Sequence, residues 1–149
     1  MIRDFCDDDF LVILDIYSAS KLDELNNEHE KFELLPLLKD KKRLALLQES
    51  KVVVFEDSEV RGFGAFYENE IRSLFVHPSS RGIGVGRAIF EYLLEEIEVR
   101  ALLYVTKSNY RAKAFYEQYG FSVILEFETS YNGKPVIANE MRQVYESQK

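Results

Sequence analysis

The sequence predicts a mixed α+β fold, a mostly antiparallel β-sheet covered by helices, and three observations carry that reading. Two β-rich runs, residues 52–55 and 60–67, are separated only by the turn-like Glu56-Asp57-Ser58-Glu59, which is the pattern of an antiparallel hairpin. Apolar or small residues recur at positions 86, 89, 90, 93, 94 and 97, at helical spacing, directly after a glycine-rich turn. The elements run β-α-α-β-β-β-α-β-α-β-β, and no repeat, low-complexity tract or Pro/Gly/Ser-rich linker divides the chain, so residues 1–149 read as a single domain.

In chain order, a short strand at 2–5 precedes a helix that Asp7 or Asp8 can cap. The apolar residues Phe10, Ile13, Leu14 and Tyr17 fall at i, i+3, i+4 and i+7, which gives that helix one buried face. Residues 20–49 are charged with scattered leucines and are broken near Pro36; they form one or two helices, with Asp40 as a cap before Leu44 and Leu47. After the hairpin, a third strand at 71–76 ends at His77-Pro78, where proline cannot donate to a ladder. A helix then runs from Gly86 to about Val99, followed by a strand at 102–105. The next helix spans about 110–119; its buried face is Ala112, Phe115, Tyr116 and Tyr119, and Gly120 suits the left-handed residue that closes it. Two last strands, 121–127 and 136–145, flank the turn Tyr131-Asn132-Gly133-Lys134.

A chain of 149 residues with 46% apolar content can bury one compact core. No segment approaches the roughly 20 uninterrupted apolar residues of a spanning helix, and the acidic start is unlike a signal or transit peptide, so a cytoplasmic protein with no membrane partner is expected. The lone Cys6 has no disulfide partner and no neighbouring Cys or His for a metal; it is expected to be a small buried apolar residue, and no metal is implied. A formal charge of −7 argues against nucleic acid as a partner and is compatible with a cationic one.

The chemistry concentrates where Leu74-Phe75-Val76-His77-Pro78-Ser79-Ser80-Arg81-Gly82-Ile83-Gly84-Val85-Gly86 carries a strand into glycines that open a helix. A helix N-terminus presents unpaired N–H groups and partial positive charge, and glycine admits a phosphate close to the backbone, so a phosphorylated ligand is implied. A Walker P-loop needs a Lys and a hydroxyl after its last glycine, but Arg87 and Ala88 stand there. A dinucleotide fingerprint needs G-x-G-x-x-G, whereas these glycines are spaced G-x-G-x-G and follow antiparallel hairpins rather than a βαβ unit. Nucleotide hydrolysis and NAD are both disfavoured.

Arg81-x-x-Gly84-x-Gly86 resembles the [QR]-x-x-G-x-[GA] motif of the GCN5-related N-acetyltransferases (GNAT), and Asn109-x-x-Ala112-x-x-Phe115-Tyr116-x-x-x-Gly120-Phe121 resembles that family's C-terminal block. The resemblance covers most of the chain. It implies a sheet with helices on both faces, splayed strands that make a slot for acetyl-coenzyme A, and transfer of the acetyl group to an amine. It further implies that the backbone of Arg81, Gly82, Ile83, Gly84, Val85, Gly86 and Arg87 holds the pyrophosphate. Leu74, Phe75 and Val76 would pair with the pantetheine arm as if it were a strand, the Val76 N–H polarising the thioester carbonyl.

On the same resemblance Asn109 binds the cofactor arm, its alternative being a helix N-cap. Tyr116 protonates the departing thiolate, its alternative being a core aromatic. Glu70, six residues before Val76, is the candidate general base, with a water chain as the alternative. His77 and His29 read as structural. No Ser or Cys nucleophile is evident, so direct attack in a ternary complex is expected. The acceptor, a small-molecule amine or a peptide or protein amine, would be selected by residues 17–38 and 127–137, where Asp23, Glu24, Glu28, Glu30 and Glu33 could attract a cation. The rival reading is a non-catalytic acyl-coenzyme A sensor or interaction module; oligomeric state, monomer or homodimer, is open.

Overall fold

The computed structural model describes residues 1–144. They fall into two compact units, one built from Met1–Lys21 and Leu35–Glu98, the other from Leu22–Leu34 and the chain after Val99.

The first unit holds the strands β1 (Ile2–Asp4), β2 (Lys51–Asp57), β3 (Glu59–Tyr67) and β4 (Glu70–Val76), each antiparallel to the next. Its helices are α1 (Phe10–Ser20), α2 (Lys41–Glu49) and α3 (Val85–Glu96). Successive residues of a strand face opposite ways, and β3 uses both faces. Phe63 and Ala65 join Val54, Ile13, Ile16, Tyr17, Leu37 and Leu47 in one buried cluster, which seats α1 and α2. Gly62 and Gly64 face α3: a Cβ on Gly64 would lie 2.5 Å from Ile89 Cγ2, and one on Gly62 would lie 2.8 Å from the Phe75 carbonyl oxygen. The missing side chains therefore set how closely α3 approaches the sheet, where Ile89, Phe90 and Leu93 are fully buried.

The second unit holds β5 (Leu102–Thr106), β6 (Phe121–Tyr131) and β7 (Lys134–Gln143), with β7 between the other two and antiparallel to both. Its helix is α4 (Tyr110–Glu117). Asn132 and Gly133 both have positive φ, as a two-residue hairpin turn between β6 and β7 requires. Leu103, Val105, Tyr119, Phe121, Val136, Ala138 and Met141 make its core.

The observed element order agrees with the expected one, and Asp40 caps α2 by accepting from Arg43 N at 3.2 Å. Several expectations are corrected. Neither Asp7 nor Asp8 caps α1; both lie in a single 3-10 turn, and Asp9 is the residue that enters the helix. The buried face of α1 includes Ile16, while Phe10 and Leu14 are only half-buried. α3 stops at Glu96, short of Val99, and β6 and β7 extend four residues further into their turn and two residues earlier, respectively. Residue 145, the expected end of the last strand, lies outside the described residues. Cys6 is exposed rather than buried, because it opens the 3-10 turn with its own N–H turned to the Asp9 carboxylate at 2.9 Å. No helix is long and apolar enough to cross a membrane among the described residues.

Asp9 is the anchor of this corner. Its buried carboxylate receives Arg3 Nη1 at 2.8 Å and Nη2 at 2.9 Å, a bidentate pair, while Arg3 Nε reaches Glu56 at 2.8 Å. The Arg3 guanidinium, helped by the Cys6 N–H, lowers the Asp9 pKa to about 2. A folded-state pKa below the ordinary carboxylate value means that the stabilisation is complete above about pH 4 and is lost as pH falls through about 2. Asp9→Asn is expected to cost about 2 kcal/mol at neutral pH and to flatten the stability profile between about pH 4 and 2, read from urea midpoints across that range.

Candidate active site

The end of β4 is fixed from two sides. His77 N donates to Arg61 O at 2.9 Å, so residues 61 and 77 are a hydrogen-bonded pair of the antiparallel ladder. Bonded and non-bonded pairs alternate, which makes 63/75 bonded and 62/76 and 64/74 non-bonded. The N–H and C=O groups of Leu74 and Val76 therefore point away from β3. Phe75 is held against the core, its ring 5.4 Å from Phe63 and 5.1 Å from Tyr17, which fixes the rotation of the strand about its axis.

His77 then closes a 3-10 turn over Pro78–Ser80: its Nδ1 accepts from Ser79 N at 3.1 Å, and Arg61 Nη1 donates to the buried Ser80 hydroxyl at 3.1 Å. This is a structural use of His77. His29 is exposed. The chain next reaches Gly82 and Gly84, both exposed with φ of +79° and +88°, and an added Cβ at either would meet nothing within 4 Å. Gly84 is the residue before α3, and the first helical bond there is Ala88 N to Gly84 O at 3.0 Å. The N–H groups of Val85, Gly86 and Arg87 precede any helical acceptor, as in the first turn of every helix. Val85 is buried and Gly86 has room for no more than contact with Val76 Cγ2, so the first turn of α3 is seated on the last residue of β4. Arg81, Ile83 and Arg87 are exposed, and Arg87 lies 3.9 Å from Glu91 one turn along.

The structure thus brings Leu74, Phe75, Val76 and the segment from Arg81 to Arg87 together as the end of one strand and one helix N-terminus. These residues fit a ligand with a diphosphate and an amide-bearing arm. The helix end is electropositive, no atom stands within 4 Å of where a Cβ on Gly82 or Gly84 would lie, and the outward amides of Leu74 and Val76 precede it in the chain.

Glu70 is placed differently. It opens β4, six residues and about 20 Å along an extended strand from Val76. Its carboxylate accepts from Arg72 Nε at 3.1 Å. Arg72 is the extra residue of a bulge, since pairing passes from Ala65↔Ser73 to Phe66↔Ile71. The same guanidinium binds Glu49 at 2.5 Å and stacks 4.6 Å from the Tyr67 ring centre, so Glu70 belongs to a structural cluster.

In the second unit, Asn109 is the N-cap of α4, its Oδ1 accepting from Ala112 N at 3.4 Å. Tyr116 sits on the same helix, half-buried, with ring contacts to Phe115 at 5.7 Å and Phe121 at 6.2 Å. Desolvation of the phenol, and secondarily the charge of Glu24, raises the Tyr116 pKa above its ordinary value, so the hydroxyl holds its proton across the physiological range.

Glu24 belongs to the acidic segment Leu22–Leu34, which hydrogen bonds tie to this unit at two places. Asn27 Nδ2 donates to Ser108 O at 3.0 Å and the Ser108 hydroxyl donates to Glu28, just before the Asn109 cap. Further along, Lys134 Nζ donates to Lys31 O at 2.6 Å, Asn132 Nδ2 to Glu33 O at 3.0 Å, and Phe32 packs 6.3 Å from the Tyr131 ring. Sequence reasoning missed Ser108 and these partners, which lie about 80 to 100 residues apart and leave no local pattern. Among the described residues, no group of three or more His, Cys, Asp or Glu is arranged to hold a metal ion.

The model of an acetyltransferase (GNAT) domain matches residues 48–123, from the end of α2 to the start of β6. The peptidyl-lysine N-acetyltransferase YjaB of Escherichia coli is 33% identical over 84 residues, 56% of this chain and 56% of that protein, so the match spans little more than half of the relative's length. The solution structure of apo-form YjaB from Escherichia coli superposes with a TM-score of 0.73 at 23% identity, over 97% of each chain. The structure of yncA, a putative acetyltransferase from Salmonella typhimurium with its cofactor acetyl-CoA, gives 0.70 at 19% identity, over 100% of this chain and 96% of that one. At those identities the two superpositions speak to the fold.

Proposed function

We propose that this chain, which belongs to the acetyltransferase (GNAT) family, acts as one catalytic domain that transfers an acetyl group from acetyl-coenzyme A to a primary amine by direct attack in a ternary complex. The observation that carries the reading is the junction of β4 with α3. Outward-facing amides at Leu74 and Val76 run directly into a helix N-terminus opened by two glycines of positive φ.

In this assignment the amides from Arg81 to Arg87 hold the pyrophosphate, and Leu74 and Val76 pair with the pantetheine arm. The Val76 N–H stabilises the negative charge that develops on the thioester oxygen as nitrogen attacks. Asn109 keeps its Oδ1 on the helix cap and offers its amide NH₂ to a carbonyl of the arm. As the carbon–nitrogen bond forms and the carbon–sulfur bond breaks, Tyr116 gives its proton to the departing thiolate; its raised pKa keeps that proton available. The ammonium of the acceptor must lose a proton first. Glu70, bound by Arg72 and about 20 Å along the strand from Val76, is a poor direct base, so a chain of water molecules takes that role.

For the acceptor, the anchored segment Leu22–Leu34 supplies Asp23, Glu24, Glu28, Glu30 and Glu33, and the relative YjaB is a peptidyl-lysine N-acetyltransferase. Both favour a lysine side chain in a peptide. The test is thiol release from acetyl-coenzyme A with a lysine peptide whose α-amine is blocked, against the same peptide carrying norleucine. Release of coenzyme A matched by one acetyl-lysine per turnover is expected; release equal for the two peptides excludes the lysine acceptor, and cofactor binding without release from any amine leaves a binding module.

A further inference from the structure

α4 is a short helix with a modest apolar hold: it has eight residues, and none of them is fully buried. Helices of this length do not stand without tertiary contacts, so what fixes α4 also fixes the Tyr116 ring. Its middle is tied by a cation. Lys113 Nζ donates to Asn139 Oδ1 at 2.7 Å and to Lys107 O at 3.2 Å. Asn139 lies on β7, the central strand of its unit, opposite Val105 on one side and Glu126 on the other, and is 2% exposed. Glu126, the ladder partner of Asn139, receives Lys107 Nζ at 2.9 Å. Lys113 therefore joins the turn before α4 and the helix itself to β7, and Lys107 in that turn reaches β6 through Glu126.

The place of Lys113 on the helix gives this tie a function. Residues three apart lie on one helix face, and Tyr116 follows Lys113 by three. A second polar tie of α4 is the Asn109 cap, at 3.4 Å, which fixes the start of the helix but not its rotation. A half-buried lysine held against a buried asparagine is a directional contact, satisfied in one orientation, where an apolar contact would tolerate several. We propose that the Lys113–Asn139 pair is a positioning device that sets the rotation of α4 on β7 and thereby aims the Tyr116 hydroxyl. This rests on the assignment of Tyr116 as the acid, and Lys113 itself touches no reacting atom.

The experiment is a double-mutant cycle on kcat between Lys113→Met and Tyr116→Phe, with hydrogen exchange of amides 110–117 as a second readout. Methionine keeps the length of the side chain and removes the donor. Lys113→Met is expected to lower kcat about tenfold with KM for acetyl-coenzyme A within about twofold, since misplacing a catalytic group by a fraction of an ångström is enough. In the Tyr116→Phe background the same change is expected to cost less than about twofold, because there is no hydroxyl left to misplace. Amide exchange in α4 should rise about tenfold while that of β7 stays fixed. Equal losses in both backgrounds, or unchanged exchange in α4, overturn the proposal. If Tyr116→Phe alone keeps full kcat, the acid assignment fails and exchange decides the pin alone: faster exchange in α4 upholds it as the element that orients the helix, and unchanged exchange removes it.

Discussion

Gly84→Glu is expected to weaken acetyl-coenzyme A binding more than about 100-fold without unfolding the protein, and three effects add. The residue sits at φ +88°, where any side chain costs about 1–2 kcal/mol. Its carboxylate would stand at the electropositive end of α3, in the space a pyrophosphate needs, and would repel that diphosphate. It would also compete for the amides of Val85, Gly86 and Arg87, acting as an internal anion on the site. Unfolding is not expected, because a Cβ at this exposed position meets no atom within 4 Å. Gly84→Ala separates the causes, since it adds backbone strain without charge and should weaken binding only about tenfold. Calorimetric titration of the two variants and wild type, with melting curves beside them, is the measurement. If Gly84→Glu binds as wild type does, the assignment of the β4–α3 junction to the cofactor falls, and with it the main support for transfer chemistry in this chain.

That junction was legible in the sequence because its signals are local. The strand, the His-Pro stop, the alternate glycines and the amphipathic run follow one another within about 25 residues, and each reports a constraint on its own backbone. The β2–β3 hairpin and the Asp40 cap were legible for the same reason. Where the deciding contact is distant, the pattern is silent. Cys6 was expected inside because free cysteine usually is, but its surroundings are set by Arg3 reaching across to Asp9 and Glu56. β6 was expected to end at 127, yet it runs to Tyr131; most of its side chains from Ser122 onward are exposed, so the strand is held by its ladder with β7 and not by an apolar alternation. Arg72 reads as an ordinary strand residue, and only pairing reveals it as the extra residue of a bulge that collects Glu49, Glu70 and the Tyr67 ring. That arrangement gives Glu70 an ion-pair partner in Arg72. Asn109 was open between two roles; the cap is observed, and it uses the carbonyl end of the amide alone.

Tyr116→Phe poses the sharpest choice between chemistry and packing. If the hydroxyl protonates the leaving thiolate, its removal is expected to lower kcat about 100-fold and to leave the affinity for acetyl-coenzyme A unchanged, the signature of an interaction made only as the bond breaks. If Tyr116 is an aromatic packing residue beside Phe115 and Phe121, phenylalanine fills the same space and kcat should stay within about twofold. The pH dependence adds an independent reading. Burial of the phenol and the charge of Glu24 both disfavour the phenolate, so the folded-state pKa lies above the ordinary tyrosine value and the acid does not ionise before about pH 10. Wild-type kcat/KM should therefore rise with pH as the acceptor amine loses its proton, with no alkaline fall assignable to Tyr116 below that point. The phenylalanine variant should show the same rising limb displaced downward, because acceptor deprotonation is untouched while the donor is gone. A wild-type profile that falls between about pH 8 and 9 and is flattened in Tyr116→Phe would instead mean that Tyr116 is needed in its protonated form but loses its proton there, which would keep the direction of proton transfer and overturn the raised phenol pKa.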